Sequence, residues 1–271
     1  MKNEAGGCGR AALCVVVRAL IVLLPAWLQA AHAALPDEIQ VYVDDLNDPG
    51  RWSLQEHINT TPVGDPDPDY PGESLARHGV RLTSEFAYGL TSDLEAGAYL
   101  PVVVESSGDV RLAGFKLRLK WVPIRPAGES AGLFAGLNGE LSQVQYRYDD
   151  SRRGFELRPI VGWRNAEWLV AANPVLEFAL ERPDSHQAPG FAPSFKVART
   201  VARGIGAGLE YYADLGPVTG FEPYSEQKHT LYVAVDIDRK PWNVNFGVGR
   251  GLTTSTDRWT VKMIIDIPLG D

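Results

Sequence analysis

The sequence predicts an all-β fold, an antiparallel up-and-down transmembrane β-barrel of about twelve strands. Three observations lead to it. The chain begins with a segment typical of exported proteins, its remainder repeats runs of alternating apolar and polar residues, and the connections between these runs alternate between short and long. Together they favour strands that cross a bilayer over strands of a soluble sandwich.

The first 33 residues have the pattern of a secretory signal. Lys2 and Arg10 precede an apolar stretch at 11–28 that only Arg18 interrupts, and Ala31-His32-Ala33 provides the small residues that signal peptidase cuts after. An N-terminal membrane anchor is the alternative, but the uninterrupted apolar core is shorter than the roughly 20 residues needed to span a bilayer. We therefore expect residues 1–33 to be removed on export.

Cysteine content and charge exclude several functions. Both cysteines, Cys8 and Cys14, lie in the signal, so the mature chain has no disulfide, no cysteine nucleophile and no cysteine metal ligand. The signal holds three basic residues and one acidic residue, which leaves 23 basic and 33 acidic residues, a net charge of −10. That balance argues against nucleic-acid binding by charge. No cofactor or metal is expected.

Strand runs dominate the mature chain. In Val80–Leu90 the even positions are mostly apolar and the odd ones mostly polar or small, and in Ala113–Trp121 the cations Lys116, Arg118 and Lys120 share one face. Large aromatics recur near the ends of the runs, as at the interface girdles of membrane barrels. The complete set of predicted strands is Ser53–Thr60, Val80–Leu90, Leu94–Val102, Ala113–Trp121, Leu133–Tyr146, Phe155–Trp163, Trp168–Leu180, Phe195–Val201, Ile205–Leu215, Thr230–Ile237, Trp242–Val248 and Trp259–Ile267.

The connections alternate in length. Residues 91–93, 164–167 and 238–241 form tight turns rich in helix and strand breakers, whereas 61–79, 149–154, 182–190 and 217–228 are longer. Short turns on one side and longer loops on the other are typical of periplasmic turns and extracellular loops. The barrel domain is thus predicted at 52–271.

Residues 34–51 are too acidic for a lipid-facing strand, with Asp37, Glu38, Asp44, Asp45 and Asp48. We expect an N-terminal periplasmic segment, or one that folds into the barrel mouth, and whether it plugs the pore stays open. The stretch Pro62–Pro71 is dense in proline and aspartate and is predicted to be an irregular loop.

Two segments resemble a known family. "YGLTSDLEAGAYLP" (Tyr88–Pro101) and "FGVGRGLT" (Phe246–Thr253), followed by "RWTVKMIIDI" (Arg258–Ile267), resemble outer-membrane proteins of the phenol-degradation meta-pathway (MetA-type) family and related uncharacterised proteobacterial barrels. The resemblance implies a Gram-negative outer-membrane barrel that passes small or apolar compounds, and it supplies no binding residues. The chain ends in Pro268-Leu269-Gly270-Asp271 instead of the usual terminal aromatic, so Ile267 or Leu269 would have to serve the barrel assembly machinery.

If the large apolar residues face lipid, the charged residues of the same strands face the lumen. The two readings of such an interior are a polar conduit or binding cavity and a lumen sealed by ion pairs and water. The cationic column Lys116, Arg118 and Lys120 is expected to pair with Glu95 and Glu140 of the adjacent strands and to leave a positively biased wall. The lumen-facing candidates are Arg81, Glu85, Glu95, Lys116, Arg118, Lys120, Glu140, Glu156, Arg158, Glu177, Glu210, Asp214, Asp236 and Lys262.

An enzyme is the less favoured alternative. His57 faces inward by parity near Ser53, and a serine nucleophile needs a base within hydrogen-bond reach. The chain has no Gly-x-Ser-x-Gly elbow, and His78, His186 and His229 lie in predicted loops. The sequence therefore favours a channel or transporter for small molecules, apolar or aromatic ones among them, over a non-conducting structural or binding barrel, and both over a lipid hydrolase. The expected partners are outer-membrane lipid, the assembly machinery and a small-molecule solute.

Overall fold

A computed structural model describes residues 37–128, 130–181 and 188–270. The predicted signal peptide lies outside the described residues. Thirteen strands run through them: β1 (Trp52–Val63), β2 (Val80–Gly89), β3 (Leu94–Val104), β4 (Val110–Leu112), β5 (Gly114–Ile124), β6 (Gly132–Val144), β7 (Arg153–Arg164), β8 (Trp168–Ala179), β9 (Gly190–Ala202), β10 (Ile205–Asp214), β11 (Lys228–Arg239), β12 (Trp242–Gly251) and β13 (Trp259–Leu269).

The strands close into a ring. Each pairs antiparallel with its neighbour in sequence, and β1 pairs with β2 on one side and with β13 on the other. The short strand β4 continues into β5 past Ala113, and both pair with β3, so that they share one place in the wall. The prediction of a closed antiparallel barrel with twelve wall strands is therefore confirmed. Among the described residues no helix is long and apolar enough to cross a membrane.

Side chains alternate between the two faces of the wall. On β5, Leu117 and Leu119 are 52% and 53% exposed, whereas the intervening Lys116, Arg118 and Lys120 are about 5% exposed. A strand turns successive side chains to opposite faces, so the apolar residues cover the outside and the charged ones line the inside. This is the reverse of a soluble protein, whose apolar residues are buried.

The two ends of the barrel differ in their connections. At one end, which we call the short-turn end, the links are residues 90–93, 125–131, 165–167, 203–204 and 240–241. At the other, the long-loop end, they are 64–79, 105–109, 145–152, 180–189, 215–227 and 252–258. Of the predicted irregular loop at 62–71, Pro62 and Val63 belong to β1, and residues 64–71 lie at the long-loop end.

One strand boundary differs clearly from the prediction. β9 begins at Gly190, five residues before the predicted start at Phe195. Gly190 and Pro193 read as breakers in the sequence, yet both lie within the wall, where Pro193 stands opposite Pro174 of β8. Such prolines are normally confined to edge strands or bulges, and the closed ring has no edge.

Candidate functional site

The lumen is occupied by the chain's own N-terminal segment. Residues 37–48, which we call the plug, enter the barrel at the short-turn end, where Pro49 bridges to Gly89 of β2. A side chain at position 89 would collide with the Asp48 carbonyl, so glycine is needed at this crossing. The described part of the acidic segment thus extends into the lumen, where its acids meet cations of the wall.

The innermost plug residue is anchored by the cationic column. The Lys116 ammonium donates to Asp37 Oδ1 at 2.8 Å and lies 3.4 Å from Glu140. Asp37 is fully buried, and its carbonyl accepts a 2.8 Å hydrogen bond from Asn59. A buried carboxylate needs such paired and hydrogen-bonded surroundings to remain charged.

The rest of the column is also neutralised. Arg118 pairs with Glu95 at 2.7 Å and with Glu85 of β2, and Lys120 pairs with Asp45 of the plug. The pairing acids thus come from two wall strands on one side, from Glu140 of β6 and from the plug. Five carboxylates surround three cations, so the expected positive bias of this wall is wrong for the folded chain.

Further wall residues hold the plug backbone. Lys262 donates to the Ile39 carbonyl at 2.9 Å, and Arg158 donates to the Gln40 carbonyl at 3.0 Å. Arg164 holds Asp44 with 2.9 Å between Nε and Oδ2. These contacts come from β7 and β13, so cations on opposite parts of the ring converge on the plug.

Tyr42 lies at the centre of the plugged lumen. Its hydroxyl shares a 2.7 Å hydrogen bond with the Tyr99 hydroxyl of β3, and its backbone N–H donates to Asn173 Oδ1 of β8 at 2.6 Å. The Arg158 guanidinium lies 4.4 Å from the Tyr42 ring centroid, within the range of a cation–π contact. The plug is thereby tied to both sides of the barrel at one residue.

A second ion network lies on β9–β13. Glu210 accepts from Lys262 and from the Tyr212 hydroxyl, the latter at 2.7 Å. Lys196 bridges Glu210 at 3.2 Å and Asp236 at 2.7 Å. These groups connect β9, β10, β11 and β13 across the inner wall.

A cavity of about 420 Å³ opens between the plug and the long-loop end. Its floor is Asp37 to Gln40, and its rim includes Asp65, Asp67 and Asp69 of the proline-rich loop. Tyr148 also lines the rim, where burial and a hydrogen bond to Glu105 raise the pKa of its phenol to about 12. The phenol therefore stays a neutral donor at ordinary pH.

The remaining lumen candidates lie around this cavity. Arg81 is 7% exposed, and its Nη1 has no hydrogen-bond partner among the described residues. Glu156 is held by Arg158 at 2.7 Å and stands directly opposite Glu177 of β8, while Asp214 lines the same space. The candidate residues thus fall into a braced group around the plug and an acid-rich group around the cavity.

Ser53 and His57 do not form a nucleophile–base pair. The His57 ring lies 3.3 Å from Glu85, and Ser53 Oγ accepts a 2.8 Å hydrogen bond from Asn47 of the plug. Within the described ranges no group of histidine, cysteine and acidic side chains is arranged to hold a metal ion. Both side chains act here as supports for the lumen.

Sequence reasoning did not assign partners to the plug residues Asp37, Tyr42, Asp44 and Asp45. The only signal was a surplus of acids in a segment too polar for the wall, beside a strand with more cations than its neighbours could neutralise. That imbalance hints at a plug but cannot say which acid meets which cation.

Comparisons with known proteins support the fold. No family model matches the chain, and no curated protein matches it, so the resemblance to the MetA-type family stays a prediction. Among solved structures, the COG4313 outer membrane channel from Pseudomonas putida F1 matches with a TM-score of 0.57 and 11% identity, over 86% of this chain and 100% of that one. A KdgM porin matches with a TM-score of 0.52 and 10% identity, over 80% and 99%. The chain shares the barrel fold of these proteins.

Proposed function

We propose that this chain is a Gram-negative outer-membrane barrel that acts as a channel or transporter for small molecules, apolar or aromatic ones among them. The observation that carries the proposal is a charged lumen with an open cavity of about 420 Å³, enclosed by a wall whose outer face is apolar. A wall with an apolar outer face is stable only in lipid, and the proposed route of the solute runs through its polar interior.

Placement in the outer membrane rests on the wall and on the export signal. Trp52, Trp121, Trp163, Trp168 and Trp259 are 37–50% exposed, and all lie at or near strand ends, where girdle aromatics meet the headgroups. Solved proteins with the same fold are named as outer membrane channels and porins. The partners that follow are outer-membrane lipid and the barrel assembly machinery, after cleavage of residues 1–33.

The plug makes this a gated rather than an open barrel. Residues 49–51 connect it to β1, and its contacts with the rest of the wall are ion pairs, hydrogen bonds and the apolar packing of Val41 and Tyr42. Passage along the barrel axis therefore requires the plug to shift, and weaker plug contacts should raise conductance.

Conductance in planar bilayers tests the proposal. Asp37→Asn combined with Asp45→Asn removes the plug charges that face Lys116 and Lys120 but leaves every wall strand intact. We expect the native protein to show small or brief currents and the double variant longer or larger ones. Asp109→Asn, in the exposed hairpin between β3 and β4, is the matched control and should behave like the native chain.

The alternative function is a non-conducting structural or binding barrel. The dense ion pairing of the lumen favours this alternative. Ion pairs such as those of Arg118 and Glu210 are also expected in a lumen that is sealed. If neither the double variant nor a chain lacking residues 37–48 conducts, while both migrate as folded barrels in heat-modifiability gels, the channel proposal is wrong and the alternative stands.

A further inference from the structure

Three prolines lie side by side in the wall. Pro174 of β8 pairs with Pro193 of β9. On the other side of β8, the register with β7 is the same at Leu157–Leu176 and at Val161–Ala172, which places Pro159 opposite Pro174. A row of prolines therefore crosses β7, β8 and β9 at one level, which we call the proline seam.

The β7–β8 ladder lapses at this seam. Pairing is continuous from residue 154 to 157 of β7 and again from 161 to 164, but residues 158–160 have no partner in β8. Proline has no backbone N–H, so the two facing prolines cannot donate to the ladder. The ladder between β10 and β9 stops at Ser194, the residue after Pro193, and backbone hydrogen bonds resume at Phe191.

The position of the seam makes the missing bonds costly. Pro159 and Pro174 lie at the midpoints of their twelve-residue strands, which is the level of the bilayer centre if the barrel spans it. No water is present there to satisfy a carbonyl that has lost its ladder donor, which is why membrane walls are otherwise fully paired. A wall with a gap at this depth separates there more easily than anywhere its ladder is complete.

The cavity reaches the level of the seam from the long-loop end. Arg158 and Val175, on the inner face at the lapse in pairing, line the cavity, and so does Pro193. Phe155 and Phe178, which lie on the outward-facing positions of the same two strands with ring centroids 5.8 Å apart, also line it. One cavity is thus bounded by residues of both faces of the β7–β8 wall.

From these observations we propose that the β7–β8 wall is a lateral portal, through which a small apolar solute passes between the lumen cavity and the hydrocarbon of the membrane. The proposal rests on the proposed function and adds the path and the solute class. Proline rings, Val175 and the two phenylalanines offer apolar contacts along the path, while the plug blocks the axial route below it. A solute of this kind would leave the cavity sideways and need not displace the plug.

Photolabelling from the lipid phase tests the portal. Adamantyl diazirine, a small apolar photoreactive hydrocarbon, is dissolved in bilayers that hold the full-length mature protein, and labelled residues are identified by mass spectrometry. Val175 is only 3% exposed and faces inward. We expect it to be labelled in the native chain, whereas Ala234, which is 2% exposed on the inner face of β11 between two continuous ladders, should not be.

Two variants close the seam in different ways. Pro159→Ala with Pro174→Ala restores both N–H donors, and Leu157→Cys with Leu176→Cys joins the strands by a disulfide at an outward-facing pair. The mature chain has no other cysteine, so the disulfide forms at this pair alone. Both variants should lose the labelling of Val175, and reduction should restore it in the second. Pro101→Ala, at a wall proline on β3, is the control and should keep it.

Hydrogen exchange gives a second readout of the same closure. Amides beside the lapse should exchange faster in the native chain than those of β5–β6, and restoring the two donors should slow them by about 5- to 30-fold. Absence of label at Val175 in the native protein, or label that persists in both closed variants, would overturn the portal. Ion currents without labelling would refute the portal alone, and labelling without currents would refute axial conduction alone.

Discussion

The two halves of the barrel wall are built in opposite ways. Around β2, β3 and β5 every cation of the column has a carboxylate partner, and the ladder between β2 and β3 is continuous over ten pairs. Around β7, β8 and β9 three prolines lie in one row, the β7–β8 ladder lapses beside them while the β8–β9 ladder continues, and the inner face carries the opposed acids Glu156 and Glu177. The first half pairs its cations with acids of the wall and the plug, whereas the second holds the plug through Arg158, Arg164 and Asn173. The two halves therefore differ in how completely their inner charges and their backbone are paired.

The largest loss of stability should come from a change in the half around β2, β3 and β5. Arg118→Leu leaves Glu85 and Glu95 buried without their counter-charge, which we expect to cost about 3–5 kcal/mol of unfolding free energy. Lys120→Leu is the control, because its partner Asp45 has a half-exposed carboxylate and the pair should be worth only about 0–1 kcal/mol. Urea unfolding in detergent measures both. Equal losses would mean that the column does not brace this half.

The outer face of the same strand offers the next largest effect. Leu117→Arg puts a charge on the lipid side of the mid-wall and should cost about 2–4 kcal/mol. Leu133→Arg, at the second residue of β6 near the short-turn end, should cost about 0–1 kcal/mol, since charges near the interface are tolerated. Folding yield into lipid vesicles reports the difference. If both positions tolerate arginine alike, the outward face of this half does not lie against hydrocarbon.

On the other half, Asn173 of β8 holds the plug together with Arg158 and Arg164 of β7. Asn173→Ala removes the two hydrogen bonds between β8 and the Tyr42 backbone and should cost about 1–3 kcal/mol, because a buried N–H loses its acceptor. Ser194→Ala is the matched control: Ser194 pairs with Asn173 across β8–β9, and its hydroxyl has no partner among the described residues. A loss of stability in the serine variant as large as in the asparagine variant would contradict this role.

The smallest expected effect concerns the link between the halves. Tyr42→Phe and Tyr99→Phe each remove the hydroxyl pair, at a cost of about 0.5–1.5 kcal/mol. Because both changes delete the same bond, the double variant should lose much less than the sum of the two single losses. Thermal unfolding monitored by tryptophan fluorescence gives the three values. Strict additivity would show that the two tyrosines do not interact.

The wall was largely predictable from the sequence, whereas the plug and the seam were not. Leu117 and Arg118 could be assigned to opposite faces because successive side chains of a strand point to opposite sides. A register shift of one residue would turn every side chain of the strand to the other face. The pairing of Lys116 with Asp37 joins residues 79 positions apart, which alternation cannot reveal. Pro159 and Pro174 lay within predicted strands, but their alignment depends on the register between strands, which appears only in the folded ring.

Closure of the ring through its first and last strands has a consequence for the order of assembly. Trp52 at the start of β1 stands opposite Leu269 at the end of β13. The ladder between the first and the last strand can therefore form only when β13 is present. The plug precedes β1 in the chain and is therefore synthesised before every wall strand. Lys262 of β13 holds the Ile39 carbonyl, so the strand that closes the ring also contacts the plug. Ring closure and the complete set of plug contacts therefore depend on the same last strand.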